Sequence, residues 1–452
     1  MFAIGLVLIL IATGIAVVSP FWGLILYWAW MLVRPQERFL GLGGTLPLER
    51  ILAVGVIISL LVHYKLLKQR NLNFNPPTRI LLAFLVVNYL SIPFAVWRSG
   101  ALLTANDFAR TIAFYLLAIN LIDTERKLRV FLWTYVACMA WTAIDSLFLY
   151  GLTPYYAQGI QRLVSGTETF GDPNATGFNL VMVIPFVFFL MQTGKTWQRL
   201  VLIAATVLFA HCVVLTASRA AASLLLIVFA IAAVQSSRRV VLIPAAVLMF
   251  ALVWSQLPAQ YRQRYISIAT FVEDPNSAAS SEVSEDESAY GRVVGFMVAW
   301  QMFLDHPLLG VGAGDFPAAF YGLNYSYKGF KGWHQPHNML AQVLSELGLF
   351  GTITFGAFVI TLFRTSFRIG FSVKRGIQQT LRDARLLNRA IFSSLVCLVV
   401  AGFSAHNIYR YNWYLAGALM VILTSLSMHD DSTSAAFEPE LDLTPVEAVN
   451  GW

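Results

Sequence analysis

Charge is what this sequence has least of. Only 12% of its 452 residues are Asp, Glu, Lys or Arg, where a soluble domain carries roughly a quarter. The deficit excludes a chain that meets water along its whole length, since 58% of the residues are apolar and gather in long runs. Cysteine is scarcer still, with three residues. Cys138, Cys212 and Cys397 each lie inside an apolar run, with no CxxC or other ligand spacing, which excludes a disulfide framework and a cysteine-held metal. They read as small packing residues. Lys and Arg are missing from 427–452, where six acids gather (Asp430, Asp431, Glu438, Glu440, Asp442 and Glu447), so the overall formal charge of +7 hides a body at +13 (7 + 6). No soluble basic segment is present to grip a duplex, and nucleic acid is not an expected partner. The opening run, 2–18, lacks a basic flank and is followed at once by a second apolar run. It is expected to be an anchor and not a cleaved signal.

What is present is a series of apolar runs, many of them close to the ~20 residues of helix that a hydrocarbon core requires. Without water inside a bilayer, such runs must close their backbone hydrogen bonds internally, as helices. Spans are expected near 2–18, 21–33, 51–67, 80–97, 108–122, 129–150, 178–193, 199–216, 219–235, 239–256, 338–363, 390–406 and 411–427. The first two flank Ser19-Pro20 and form either a hairpin or one broken element, so the count is 12 or 13. The fold class is all-α: a polytopic integral membrane protein with one large outside loop containing short helices. Its expected parts are a bundle at 1–256, the loop at 257–337, further spans at 338–427 and a disordered acidic tail at 428–452. Lys and Arg mark alternate connections, at 65–79, 126–129, 195–199, 238–239 and 364–389. By the positive-inside rule those face the cytoplasm, as does the tail, and 151–177 and 257–337 face outside. Within the large loop, 273–287 is acidic and Ser/Ala-rich and is read as mobile. Val293, Phe296, Met297, Trp300 and Phe303 are spaced for an amphipathic helix lying on the membrane or the bundle.

A few polar residues need an explanation. Arg219 stands in Thr216-Ala217-Ser218-Arg219-Ala220, between two apolar runs with almost no loop. It could snorkel to the interface as a plain anchor. Yet it faces outside, and its small neighbours leave room for a ligand. His337, in His334-Gln335-Pro336-His337-Asn338, is expected to open the next helix. The HxxH spacing raises the question of zinc, but Pro336 argues for a loop at His334 and no third ligand lies nearby. A neutral imidazole acting as a general base suits it better. Gly310-Val311-Gly312-Ala313-Gly314 is not a dinucleotide fingerprint, since no strand precedes it, and it reads as a close-packed turn.

The outside-facing residues together resemble the O-antigen ligase and O-antigen polymerase superfamily of bacterial envelope glycosyltransferases. Four stretches carry the likeness: Gly166 through Asn174, leading into a central span; Thr216 through Ala220; Gly291-Arg292 through Trp300, with Asp305-His306-Pro307-Leu308-Leu309-Gly310-Val311-Gly312 and Phe316; and His337-Asn338 followed by Gly348-Leu349-Phe350-Gly351. They span about residues 160 to 365. Where the family usually has Ser-Arg-Gly, this chain has Ser218-Arg219-Ala220, and Ala still permits close packing.

The resemblance implies a multi-pass protein of the bacterial inner membrane with its active site facing the periplasm. It implies transfer of a glycan from a polyprenyl diphosphate to a hydroxyl on lipid A core, a growing polysaccharide or a protein. The partners are then the lipid-linked donor, a glycan, lipid or protein acceptor, and the bilayer. No cofactor and no metal are called for. Arg219 and Arg292 are expected to steady the diphosphate, since guanidinium forks match phosphate oxygens. Arg162 and Arg410 are further binding candidates on the same side. His337 is the expected base, and Asn338 is expected to orient substrate or ring. Polymerase differs from ligase in acceptor and not in chemistry, so it stays open. A transporter of a small anion or lipid-linked oligosaccharide would place charge along a path through the bilayer. A non-catalytic scaffold would leave Arg219 and His337 without a chemical role.

Overall fold

The structure is a computed structural model that describes residues 2–38, 48–63, 75–157, 159–167, 171–235, 259–263, 284–323, 325–327, 332, 334–372 and 379–435. Its helices, in chain order, are α1 (Phe2–Val18), α2 (Pro20–Val33), α3 (Pro35–Arg38), α4 (Leu48–Val62), α5 (Pro76–Ser91), α6 (Arg98–Leu121), α7 (Glu125–Leu152), α8 (Pro173–Thr193), α9 (Thr196–Leu215), α10 (Arg219–Gln235), α11 (Ser284–Asp305), α12 (Phe316–Gly322), α13 (Met339–Ser372), α14 (Gln379–Gly402) and α15 (Tyr411–Ala435). The described strands, β1 (Tyr155–Ala157) and β2 (Ile160–Arg162), form one small antiparallel hairpin. Among the described residues, seven helices are long and apolar enough to cross a membrane, and three more are shorter and apolar. The chain is an all-α polytopic membrane protein. Each expected span within the described residues falls on a helix. The span at 239–256 lies outside them, and with it the total of 12 or 13.

Boundaries depart from expectation in three places. No Gly or Pro lies between Gly417 and Pro439, and α15 accordingly continues to Ala435, carrying Asp430 and Asp431, which the sequence reading places in a disordered tail. α11 begins at Ser284, so 285–287, read in the sequence as part of a mobile patch, belong to a helix. Glu273, Asp274 and Glu282 lie outside the described residues. Third, His337 precedes α13 and does not open it: its φ is 47°, and the following Asn338 accepts from the Leu340 and Ala341 N–H groups at 2.9 and 3.0 Å, as an N-cap does.

α8 is the hub. It packs against α7, α9, α10 and α14, and 83% of its apolar window is buried, against 33% for α9. A helix apolar all round belongs inside a bundle. α9 instead turns Leu200, Val201, Ile203 and Val207 outward, as a lipid-facing helix does. Where helices approach closely, one partner is small: a Cβ on Gly177 would stand 2.7 Å from Ala221 Cβ, so the α8 backbone there lies against the Ala221 methyl of α10. At the far end of the bundle, Arg129 donates to Asp383 and to Thr193 Oγ1. This ties the starts of α7 and α14 to the end of α8 and gathers their basic residues at one end.

α13 is broken at Gly348 (φ 61°, ψ −152°), and the loop after α11 threads into the break. Leu349 and Phe350 N–H donate to the Pro307 and Leu308 carbonyls at 2.8 and 3.2 Å. Val311 and Gly312 N–H donate to the Ser345 and Glu346 carbonyls at 2.8 and 3.1 Å. Irregular backbone survives at membrane depth only when protein satisfies it, and each chain segment here supplies the other. Gly310, Gly312 and Gly314 all have positive φ, so the glycine-rich run is the close-packed turn that the sequence suggests. Of the two settings expected for the apolar stripe on α11, membrane or bundle, the bundle is not the one observed. Val294, Val298, Ala299 and Met302 form the buried face, packed with Phe316 and Phe320 of α12, whereas Val293, Phe296, Met297 and Trp300 are exposed. The segment is apolar on both sides, so spacing alone does not choose between them.

Candidate active site

Three walls meet at the end of the bundle opposite Arg129. The first is the turn between α9 and α10. Ala217 adopts φ 51°, a costly conformation for a residue with a Cβ, and the surroundings hold it there. Thr216 Oγ1 accepts from Ser218 N–H, and Ser218 Oγ accepts from Ala221 N–H, capping α10. The Arg162 Nε donates to the Thr216 carbonyl at 2.8 Å, and Leu163 N–H donates to the Leu215 carbonyl at 2.9 Å, clamping the β-hairpin to the turn. The turn delivers Arg219 at the first position of α10.

The second wall is α11 with the segment 334–338. Gly291 and Gly295, one helical turn apart, let that segment lie against the helix. A Cβ on Gly291 would stand 2.8 Å from His334 Nε2, and one on Gly295 would stand 2.9 Å from the Pro336 carbonyl oxygen. His334 Nε2 lies 3.2 Å from the Gly291 carbonyl oxygen. Arg292, next to Gly291, thereby comes beside His337. The unfavourable φ at His337 is a local strain of the kind that functional sites retain.

The third wall is the loop between α14 and α15, of which the sequence offers only Arg410 as a candidate. It carries His406, Asn407 and Arg410, and α13 pins it, with Gln342 Oε1 accepting from Ile408 N–H at 3.3 Å. The His406 ring centroid is 5.4 Å from that of His337, which is 5.1 Å from that of His334. Among the described residues His406 Nδ1 has no hydrogen-bond partner. The Arg410 guanidinium lies over Phe178 of α8, 5.3 Å from the ring centroid. Asp172 caps α8, accepting from the Asn174 and Ala175 N–H groups at 2.8 and 3.0 Å.

These walls enclose a cavity of about 600 Å³, lined among others by Asp172, Asn174, Arg292, His337, His406 and Arg410. Burial, then the like charge of Arg219, lowers the Arg292 guanidinium from its ordinary value, and burial lowers Arg410 as Asp172 opposes it; both remain cations at neutral pH. Burial, then His334 and Arg292, pushes the His337 imidazolium down to about 4, with Asp172 opposing. Burial, then Arg410, His337 and His334, pushes His406 down to about 3. The cavity therefore sets cationic guanidinium groups beside neutral imidazoles. Such a set can hold an anion while accepting a proton.

Of the residues singled out in the sequence, Arg292, His337 and Arg410 line the cavity. Arg219 stands close enough to act on Arg292 electrostatically. Arg162 is buried and holds the wall, donating also to Asn174 Oδ1 at 3.2 Å. Asn338 caps α13 and donates weakly to the Phe403 carbonyl at 3.4 Å. Among the described residues no group of three or more His, Cys, Asp or Glu is arranged to hold a metal. His406-Asn407 repeats the dipeptide His337-Asn338 at the end of another span, and beside the candidate Arg410 that is the sequence signal for His406.

Residues 204–356, which contain Arg219, Arg292 and His337, match the family model described as O-Antigen ligase. The match supports the resemblance to the O-antigen ligase superfamily. No curated protein matches the chain.

Proposed function

We propose that the chain is a membrane glycosyltransferase of the ligase type, moving a glycan from a polyprenyl diphosphate to an acceptor hydroxyl on the periplasmic face. The observation that carries this reading is the convergence of Arg292, His337 and Arg410, with Arg219 behind, on one cavity. The residues come from separate elements, and neither bundle packing nor interfacial anchoring calls for cations and imidazoles to meet there. The family match supports a ligase or polymerase type of activity.

In this mechanism the guanidinium groups of Arg292 and Arg410 hold the diphosphate oxygens, and Arg219 adds its field from behind. His337 takes the proton from the acceptor hydroxyl as that oxygen attacks the anomeric carbon. The bond from the anomeric carbon to the diphosphate oxygen breaks, and polyprenyl diphosphate leaves with the electron pair. Its growing negative charge is where the cations contribute most. Asp172 helps to orient the site by capping α8 and acting on His337. Asn338 supports the base through the start of α13 and holds no substrate in this scheme.

The test is surface-glycan analysis in a deletion strain complemented with wild type, His337→Ala or Arg219→Ala, with membrane levels of each variant checked. Both variants are expected to reach the membrane, fail to restore the glycan and leave lipid-linked precursor to accumulate. Long stalled chains mark a ligase, and single repeat units mark a polymerase. Full restoration by both variants would overturn the reading.

A further inference from the structure

His406 lines the cavity together with Arg410 and plays no part in the transfer proposed above. The loop that carries it is pinned from three helices. Asn407, next in the chain, is buried; its Nδ2 donates to the Leu398 carbonyl of α14 at 3.0 Å, and its Oδ1 accepts from Trp413 Nε1 of α15 at 3.4 Å. Ile408 N–H is held by Gln342 Oε1 of α13, and the Ile408 carbonyl accepts from the Tyr414 hydroxyl. A side chain on so fixed a loop is preorganised, which is what electrostatic stabilisation of a transition state requires.

The two nitrogens of the His406 ring are not equivalent. Nδ1 is closed off from the cavity, with no hydrogen-bond partner among the described residues. The ring is nonetheless partly exposed and lines the cavity, so it meets that space along the edge that carries Nε2. Burial, then Arg410, His337 and His334, keeps the imidazole neutral, and a neutral imidazole has one N–H and one bare nitrogen. A buried donor without an acceptor is rarely tolerated, whereas an unused acceptor is tolerated somewhat better. The proton is therefore assigned to Nε2, and His406 offers the cavity a donor and not a base. His337, whose ring centroid is 5.4 Å away, keeps the task of accepting a proton. Arg410 stands near enough to act on the His406 ring. A fixed N–H beside a guanidinium matches an anionic oxygen.

We propose that His406 is a further catalytic residue of the transfer, its Nε2–H donating to an oxygen of the diphosphate as that group leaves the anomeric carbon. The inference rests on the proposed transferase reading. It adds no proton transfer. The hydroxyl proton still goes to His337, the electron pair of the breaking bond still leaves with the diphosphate, and the hydrogen bond strengthens as negative charge grows there.

The full-length protein is reconstituted in liposomes with lipid-linked glycan and acceptor isolated from the producing cells. Initial rates are measured for wild type, His406→Gln, His406→Asn and His406→Phe. A Gln amide nitrogen reaches the place of Nε2, an Asn amide reaches only that of Nδ1, and Phe keeps the shape of the ring with no donor. His406→Asn and His406→Phe are expected to lower kcat about hundredfold, as the loss of one donor to a developing anion does, and His406→Gln to stay within about tenfold of wild type. Bare polyprenyl diphosphate, the leaving group itself, is expected to inhibit the Asn and Phe variants about tenfold more weakly than wild type or His406→Gln. A residue that only fills the wall would give the opposite ranking, since Phe is closest to His in shape. A wild-type kcat in His406→Phe overturns the inference. So does His406→Gln as slow as His406→Phe, the mark of a lost proton acceptor; in both cases the transferase reading stands. Should His406→Phe prove unstable, the Gln and Asn variants decide alone, equal rates refuting the donor. If wild type itself transfers nothing, the transferase reading fails. Titration of bare polyprenyl diphosphate into wild type and the variants then decides the contact separately, equal affinities refuting it.

Discussion

At the scale of single residues, the base and its neighbour carry different burdens. His337 is held neutral by burial, then by His334 and Arg292, so that it protonates only near pH 4 in the free protein. The acidic limb of kcat/KM is therefore expected near pH 4, well below the ordinary imidazole value, because that parameter reports the free enzyme. A bound diphosphate reverses part of the effect: its negative charge favours the imidazolium, so the limb in kcat is expected at higher pH than the limb in kcat/KM. His334→Gln removes one of the causes that depress His337 while keeping a side chain able to reach the Gly291 carbonyl. It is expected to move the kcat/KM limb upward, by less than the full interval to 6.5, because burial is the larger cause. An unmoved limb in a pH–rate profile would separate His337 from the titration. Asn338 is argued the other way. If it acts as a cap, Asn338→Asp keeps an accepting oxygen for Leu340 and Ala341 N–H and retains most transfer activity. Asn338→Ala loses about 1 kcal/mol of stability, read as a lower Tm. A residue binding the diphosphate directly would give the reverse order, since a new carboxylate beside that anion would abolish transfer.

At the scale of elements, the break in α13 and the glycine-rich loop form one joint, and its glycines are not equivalent to others nearby. Gly348→Ala would place a Cβ 2.5 Å from the Leu308 carbonyl carbon at a φ of 61°. Backbone strain alone costs about 1–3 kcal/mol there. At Gly356, two turns further along α13, an added Cβ would meet nothing within 4 Å, so Gly356→Ala is expected to be neutral or stabilising by up to about 1 kcal/mol. Thermal unfolding in detergent should separate the two, and equal Tm values would remove the joint as a structural requirement. This joint also explains what can be read in the sequence. Gly348-Leu349-Phe350-Gly351 and Gly310 through Gly314 are visible as separate motifs, the second of them as a tight turn. That one threads the other follows from contacts between distant segments, which no local period encodes. The helices are legible because a bilayer leaves an apolar run few alternatives. The sequence leaves open whether the stripe on α11 meets membrane or bundle, because both faces of that helix are apolar. Arg410 is legible as a binding candidate on the outside face, whereas His406 joins the site only through packing, since in the sequence it stands at the end of a span.

At the scale of the whole molecule, orientation and site location are linked. The Arg129 ties to Asp383 and Thr193 gather the basic starts of α7 and α14 at one end. The cavity with Arg292, His337 and Arg410 lies at the other. By the positive-inside rule the first end is expected to face the cytoplasm, and the proposed transfer would then have its cavity on the periplasmic face, within reach of an acceptor there. The three native cysteines are all buried, so an impermeant maleimide reports mainly on a cysteine placed by design. Tyr321 of α12, 72% exposed at the cavity end, and Arg126, exposed at the first turn of α7, are suited to it. In spheroplasts, Tyr321→Cys is expected to label before lysis and Arg126→Cys only after it. The opposite pattern would turn the cavity toward the cytoplasm. There the guanidinium and imidazole cluster would face nucleotide-linked sugars, and the transfer proposed from a lipid-linked donor would lose its physical setting.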